Sequence, residues 1–304
     1  IKGYKMNEKV NLVAVADINE KRARNTAQRC KARFYTNYEE MLKKEHLNGV
    51  SICTPPFLHK EMVLKALDSG VNVLCEKPLA TNSKDAEEMI AHAKKKRLLL
   101  MTGFCNRFVQ MNRKTRELIQ KGELGKIVMF RNRFAGKLDM TGKWFSDKKK
   151  SGGGVLLDTS IHSVDLFRWL VGEVKTVSAK ITKFILREVE DSSIILLEST
   201  RGAIGVIEAS WVSPKGNYGI EIYGTRGVAI IDYNTFTLRY SLADGKWQEI
   251  NYPREGFKPE IDNFVNSILG EETLFVEPEA GIKSLQIIEA SYQSAKEGKQ
   301  INVK

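Results

Sequence analysis

Asp158 and His162 stand four residues apart in the run Gly152-Gly153-Gly154-Val155-Leu156-Leu157-Asp158-Thr159-Ser160-Ile161-His162-Ser163-Val164-Asp165. On a helix, that spacing places both side chains on one face, where they can address a common ligand. Their neighbours Leu157, Ile161, Val164, Phe167 and Leu170 are apolar, so a polar pair among them calls for a partner or a substrate. A histidine with an ordinary pKa of ~6.5 can exchange a proton near neutral pH. A core histidine hydrogen-bonded to Asp158 would satisfy the same pattern.

Three further segments carry polar groups to the ends of strand-like runs. In Cys75-Glu76-Lys77-Pro78, the proline stops a strand and aims Lys77 into a cleft, although an isolated lysine is more often a surface charge. Thr54-Pro55-Pro56-Phe57-Leu58-His59 follows a strand ending at Cys53. Its prolines remove backbone donors and turn the chain outward, at the end of the sheet where open parallel sheets bind ligands. His59 faces either that ligand or the helix that follows. Asp17 ends the first visible strand and opens a helix, the position from which a carboxylate bonds the ribose of a bound dinucleotide. Asp17 with Glu20 also reads as a capping box.

These groups need a scaffold, and the periodicity supplies one. Short β-branched runs at 12–16, 50–53, 71–75 and 98–102 alternate with helical patterns at 20–31, 38–44, 60–69 and 83–96, the signature of parallel strands with crossover helices. Beyond residue 125 the rhythm changes to strand-like stretches at 127–134, 174–186, 192–199, 203–211, 219–223 and 228–232, which predicts a mostly antiparallel sheet. Gly202, Gly224 with Gly227, and Asp244-Gly245 supply the turns. A helix over 278–296 and a strand through 303 close the chain. The predicted fold is α/β: a Rossmann-type doubly wound parallel sheet over 1–103, then an α+β domain over 104–304 with a large, mostly antiparallel open sheet. The last helix is expected to pack back on the first domain.

Composition narrows the function classes. No apolar run of the 304 residues nears the ~18 that a membrane span needs, and no charged start leads into a signal-like apolar stretch, so a cytoplasmic protein is expected. The net charge of +11 invites nucleic acid as a partner. The basic clusters argue otherwise: 94–97 ends a helix and 148–150 falls in a glycine-flanked loop. Cys30, Cys53, Cys75 and Cys105 show no C-x-x-C spacing, so neither a metal site nor a disulfide framework is expected. Cys53 and Cys75 read as buried thiols.

Taken together, T-P-P-F-L-H (54–59), E-K-P (76–78), G-F-C-N-R-F (103–108), G-G-G-V-L-L-D-T-S-I-H-S-V-D (152–165) and I-Y-G-T-R-G (222–227) resemble the Gfo/Idh/MocA oxidoreductase family in order and spacing. E-A-S-Y-Q-S-A-K-E-G-K-Q-I-N-V (289–303) is similar to that family's final helix and strand. The resemblance implies catalytic roles for Lys77, Asp158 and His162. It implies cofactor contacts at Thr54, Pro55, His59, Glu76, Lys77 and Arg107, beside Asp17 at the ribose. The implied activity is hydride transfer between a nicotinamide cofactor and a secondary alcohol or ketone of a sugar, polyol or sugar derivative. In it His162 takes the hydroxyl proton, Asp158 orients, and Lys77 stabilises charge developing on oxygen. Lys77, Arg107, Asp158 and His162 are the expected substrate contacts, with Trp144 and Tyr218 as aromatic candidates. Asp17 favours NAD, while Arg22 leaves NADP open. Two other readings are a dinucleotide-binding regulator without turnover and an NAD-dependent glycoside hydrolase.

One departure stands out. A Gly-x-Gly-x-x-Gly loop should begin about 20 or more residues before the acidic residue, yet only sixteen residues precede Asp17, with Gly3 their single glycine. Residues 1–8 read as the tail of a first helix. The expectation is a chain incomplete at its amino end, with the central strand missing and the parallel sheet split; a variant lacking the loop is the alternative. Val206, Ile207, Ile230 and Ile231 show no clean polar alternation, which predicts a homodimer or homotetramer through one face of the second sheet.

Overall fold

A computed structural model describes residues 1–303. The first domain runs α1 (Lys2–Lys5), β1 (Ala14–Ala16), α2 (Glu20–Cys30), β2 (Arg33–Tyr35), α3 (Tyr38–Lys44), β3 (Gly49–Ile52), α4 (His59–Asp68), β4 (Asn72–Glu76), α5 (Ser83–Lys96) and β5 (Leu100–Gly103). Asparagines set three of the helix starts: Asn19, Asn37 and Asn82 accept from the amides of Arg22, Glu39 and Asp85, groups that would otherwise lack partners in the first turn. The capping box proposed for Asp17 and Glu20 is not formed, because Asn19 holds the cap. Asp17 instead accepts from the Asn19 amide and pairs with Arg22 at 3.4 Å.

All pairings here are parallel, but the Rossmann-like sheet is in two pieces, β1-β2 and β3-β4-β5. Among the described residues no strand joins β1 to β3. One consequence corrects the sequence reading: Cys53, expected to be buried, is exposed, since β3 is covered by a neighbouring strand on one edge only. Cys75, in the middle strand, is buried as expected.

The second domain continues with α6 (Gln110–Gln120), β6 (Ile127–Lys137), α7 (Lys148–Ser151), α8 (Val155–Asp158), α9 (Ser160–Leu170), β7 (Val174–Thr182), β8 (Ser192–Ser199), β9 (Ile204–Ser210), β10 (Val212–Gly224), β11 (Val228–Asp232), β12 (Thr237–Ser241), β13 (Trp247–Asn251), α10 (Lys258–Ile268), α11 (Glu279–Glu297) and β14 (Ile301–Asn302). Its nine-stranded sheet has the order β13-β12-β11-β10-β6-β9-β8-β7-β14. Among the described residues only its β6–β9 pair is parallel. Sequence periodicity missed β2, α6, β12, β13 and α10; β13, Trp-Gln-Glu-Ile-Asn, is an edge strand with little buried surface, so it has no apolar alternation to read.

Burial along β8 and β9 alternates strictly, with Ile207 and Ile231 buried. The lack of polar alternation comes from the other face, where Met129, Ile194, Leu196 and Ile204 are about half exposed. On the inner face α9 packs so closely that a Cβ on Gly205 would lie 2.5 Å from the Phe167 ring. Helix α11 reaches back to the first domain: Glu289 accepts from the Ser83 amide and hydroxyl, each at 2.7 Å, and Lys94 pairs with Glu279 at 2.6 Å. No helix among the described residues is long and apolar enough to cross a membrane.

Glu260, in the first turn of α10, is 3% exposed, and its Oε1 has no partner. Burial, then the Glu76 charge, raises its pKa from 4.5 to about 8. Because the folded value lies above the unfolded one, the unfolded chain loses its proton first, so stability falls as pH rises from about 4.5 towards 8. Glu260→Gln should therefore raise the melting temperature over wild type by a margin that grows between pH 5 and pH 8. A margin independent of pH would contradict the assignment.

Candidate active site

Lys77 follows the carboxyl end of β4, where Pro78 cannot continue the ladder. Its Nζ donates to Asp158 Oδ1 at 2.6 Å and to the Asp158 carbonyl at 2.8 Å, with the two side chains 15% and 20% exposed. The carbonyl is available because the chain does not form the single helix expected from the sequence. The run breaks at Thr159, between α8 and α9. The His162 amide bonds the Thr159 carbonyl at 3.2 Å instead of the Asp158 carbonyl that a continuous α-helix would supply, which leaves the latter for Lys77.

The three glycines act on the same turn. A Cβ on Gly154 would lie 1.9 Å from the Glu190 carbonyl oxygen, so only glycine lets the two backbones meet. Glu190 then turns its Oε1 to the amides of Gly154 and Leu156, at 2.9 and 3.1 Å, and to the Tyr292 hydroxyl at 2.7 Å. A carboxylate at the start of α8 thus satisfies donors that would otherwise be buried without partners. Sequence reasoning missed Glu190 and Tyr292. Each is an ordinary residue far along the chain, and no local pattern marks either.

His162 lies partly buried, edge-on to Phe104 with ring centroids 6.2 Å apart. Its Nδ1 is shielded and has no partner, a costly state for a buried polar atom. Burial, and next the Lys77 charge, hold its pKa well below the usual 6.5. The neutral imidazole and the Lys77 amine therefore share one electrostatic environment. Glu76 sits beside them with its carboxyl pushed up by burial, its Oε2 accepting from the Lys77 amide at 3.2 Å. Gly103 on β5 makes room for it, since a Cβ there would lie 3.1 Å from that oxygen.

Two other residues are engaged inside the protein. His59 is fully buried, and its ring nitrogens face the carbonyls of Pro78 and Thr54 at 2.9 and 2.8 Å. It is a strut between the two loops rather than the cofactor contact expected. Arg107 is likewise buried. Its Nε and Nη2 grip Asp165 at 2.9 and 2.7 Å, and its Nη1 bonds Glu277 at 2.7 Å, so each of its three nitrogens is held inside the protein, away from the cofactor and substrate roles expected of it. Asp17 lies at the end of β1, and Thr54 and Pro55 follow the end of β3. Trp144 stacks on Phe145, with centroids 3.6 Å apart, and the Tyr218 ring lies against Gly136; neither is tied to the Lys77–Asp158 pair. Among the described residues no cluster of His, Cys, Asp or Glu could hold a metal.

Residues 2–104 match the family described as "Oxidoreductase family, NAD-binding Rossmann fold", and residues 112–230 match the "GFO/IDH/MocA C-terminal domain". The chain belongs to the Gfo/Idh/MocA oxidoreductase family. It is 26% identical to the myo-inositol 2-dehydrogenase of Thermotoga maritima, covering 98% of this chain and 93% of that one. It is 27% identical to the D-glucoside 3-dehydrogenase of Escherichia coli, covering 99% and 92%. The aldose-aldose oxidoreductase of Caulobacter crescentus superposes with a TM-score of 0.91 at 25% identity, over 99% of this chain and 94% of that one. A levoglucosan dehydrogenase solved with NADH and levoglucosan superposes at 0.90 with 22% identity, over 96% and 90%, a likeness of fold. NAD is thus the cofactor of the Rossmann domain, and the residues present suit it. Asp17, Thr54 with Pro55, and Glu76 with Lys77 lie at the carboxyl ends of β1, β3 and β4, strands from both pieces of the parallel sheet, and the carboxyl ends of such strands are where a dinucleotide is held. The unpartnered His162 Nδ1 lies near Lys77.

Arg107 should matter for stability instead of binding. Arg107→Ala would strand the buried Asp165 and cost roughly 3–5 kcal/mol in urea unfolding. A loss below about 1 kcal/mol would mean the ion pair is not buried as described.

Proposed function

We propose that this oxidoreductase interconverts a secondary alcohol and a ketone on a sugar or polyol, with Lys77, Asp158 and His162 as the catalytic residues. The observation that carries this reading is the contact of Lys77 with Asp158 beside a neutral, unpartnered His162. The dehydrogenases of inositol and of a glucoside among the relatives support the substrate class. When bound, the nicotinamide supplies the hydride acceptor or donor. Asp17 would accept from the ribose hydroxyls and disfavour a 2′-phosphate, since Arg22 is already paired with it. Thr54, Pro55, Glu76 and Lys77 would line the rest of the cofactor site.

The division of labour follows from the side chains. His162, kept neutral, takes the proton of the substrate hydroxyl. Lys77 donates a hydrogen bond to the same oxygen and stabilises the charge that develops there. Asp158 keeps the amine in place and orients the sugar. We place the boundary between the domains near residue 103, where β5 ends. The half-exposed apolar residues Met129, Ile194, Leu196 and Ile204 support a homodimer or homotetramer through the outer sheet face.

Lys77→Ala and His162→Ala should each lower kcat/KM for sugar-dependent NADH formation by about 10²–10⁴-fold. The low His162 pKa puts the acid limb of the wild-type kcat/KM profile below pH 6.5: the base is active above its own pKa and fails only as pH falls through it. Wild-type activity in both variants, or a limb above pH 7, would refute the assignment. In light scattering, Ile194→Lys with Leu196→Lys should shift an oligomer to monomer. A wild-type chain already monomeric at micromolar concentration would count against the interface.

A further inference from the structure

Asp158 presents its carboxylate and its carbonyl to Lys77 together only because the chain breaks at Thr159, and that break is gripped from outside. The Trp211 indole Nε1 donates to Thr159 Oγ1 at 2.9 Å. An indole N–H has no acceptor capacity, so the direction is fixed: the threonine oxygen gives a lone pair to Trp211 and keeps its own hydrogen. The hydroxyl is free to donate to Asp158 Oδ2 across a long 3.4 Å, while Lys77 occupies Oδ1. The two carboxylate oxygens are thus addressed by donors from different parts of the fold.

Trp211 has little freedom. It is 2% exposed and sits between β9 and β10, with its amide bonded to the Asp191 carbonyl at 2.9 Å. Its ring packs in a small apolar cluster with Val155, Leu186, Val189 and Ala209, and Met140 lies against that cluster. Val155 is the first residue of α8, so one cluster fixes both the indole and the helix that ends in Asp158. Apolar packing sets the place of the ring, and the single N–H sets the place of the threonine.

We propose that Trp211 and Thr159 are positioning residues that hold the break at residue 159 and so present Asp158 to Lys77. This rests on the reading of Lys77 and Asp158 as catalytic. Trp211→Phe keeps a ring in the cluster and removes the N–H; Thr159→Val keeps the shape and removes the hydroxyl; Thr159→Ser restores it.

The full chain is measured in two ways. The first is sugar-dependent NADH formation with NAD. The second, independent of turnover, is the rate at which an amine-reactive acylating reagent labels Lys77, followed by peptide mass mapping against surface lysines. Trp211→Phe and Thr159→Val should each lower kcat about ten- to a hundredfold with the KM for NAD within twofold of wild type, and should speed Lys77 labelling. The double variant should cost no more than either alone, and Thr159→Ser should recover most of the loss. Wild-type kcat and labelling in both single variants, with Lys77→Ala inactive, would overturn the proposal and leave the catalytic pair standing. Activity in Lys77→Ala would instead defeat the catalytic reading, and the labelling rates would still show whether Trp211 and Thr159 hold the pair. Should Trp211→Phe fail to fold, Thr159→Val against Thr159→Ser decides, since a merely structural role predicts no recovery of kcat at equal melting temperature.

Discussion

The contact between Lys77 and Asp158 joins residues 81 positions apart and ties the tip of the parallel sheet to a helix over the antiparallel one. Much of the local structure serves it. The proline after Lys77 ends the strand, the glycine run lets the Glu190 backbone approach α8, and the break at Thr159 frees a carbonyl. Such a pair, with most of each side chain withdrawn from water, is strong only when both groups find all their partners. Asp158 answers with two acceptors, and Glu190 removes competing donors from the start of the same helix.

A second tie between the two domains is structural. Arg107, just after β5, grips Asp165 on α9, one helical turn beyond His162. With Phe167 pressed on Gly205 from the sheet side, α9 is fixed at both the domain junction and the sheet. The ring of His162 is therefore carried by a helix with little freedom to shift, which suits the base proposed above, since such a group must meet a substrate hydroxyl within hydrogen-bond reach. His59 does related work in the first domain, linking the loop after β3 to the loop after β4.

The alternation of short strands and helices before residue 103 and the run of strands after it could be read from periodicity, because hydrophobic spacing is local. So could the proline-bounded strand ends, whereas the caps at Asn19, Asn37 and Asn82 were passed over and the one assigned to Asp17 falls on Asn19. Lys77, Asp158 and His162 could be singled out since each is a polar residue set in an apolar or proline-fixed context. Arg107, which the family resemblance pointed to, and His59, marked by its place after a strand, are buried struts, because a polar residue satisfies itself as readily with an internal carboxylate or carbonyl as with a ligand. Glu190, Tyr292, Thr159 and Trp211 carried no signal, since their importance lies in partners distant in sequence or in a break that the helical pattern concealed.

By itself, then, the sequence determined the alternating and strand-rich halves of the fold and the presence of an amine, a carboxylate and an imidazole at marked positions. Periodicity and residue type are properties of neighbours along the chain. Only the tertiary structure decided which polar groups face the cleft and which are consumed inside. It also decided that the imidazole is neutral, for a pKa is set by burial and by charges brought near in space, and the lysine that depresses that of His162 arrives from the other domain.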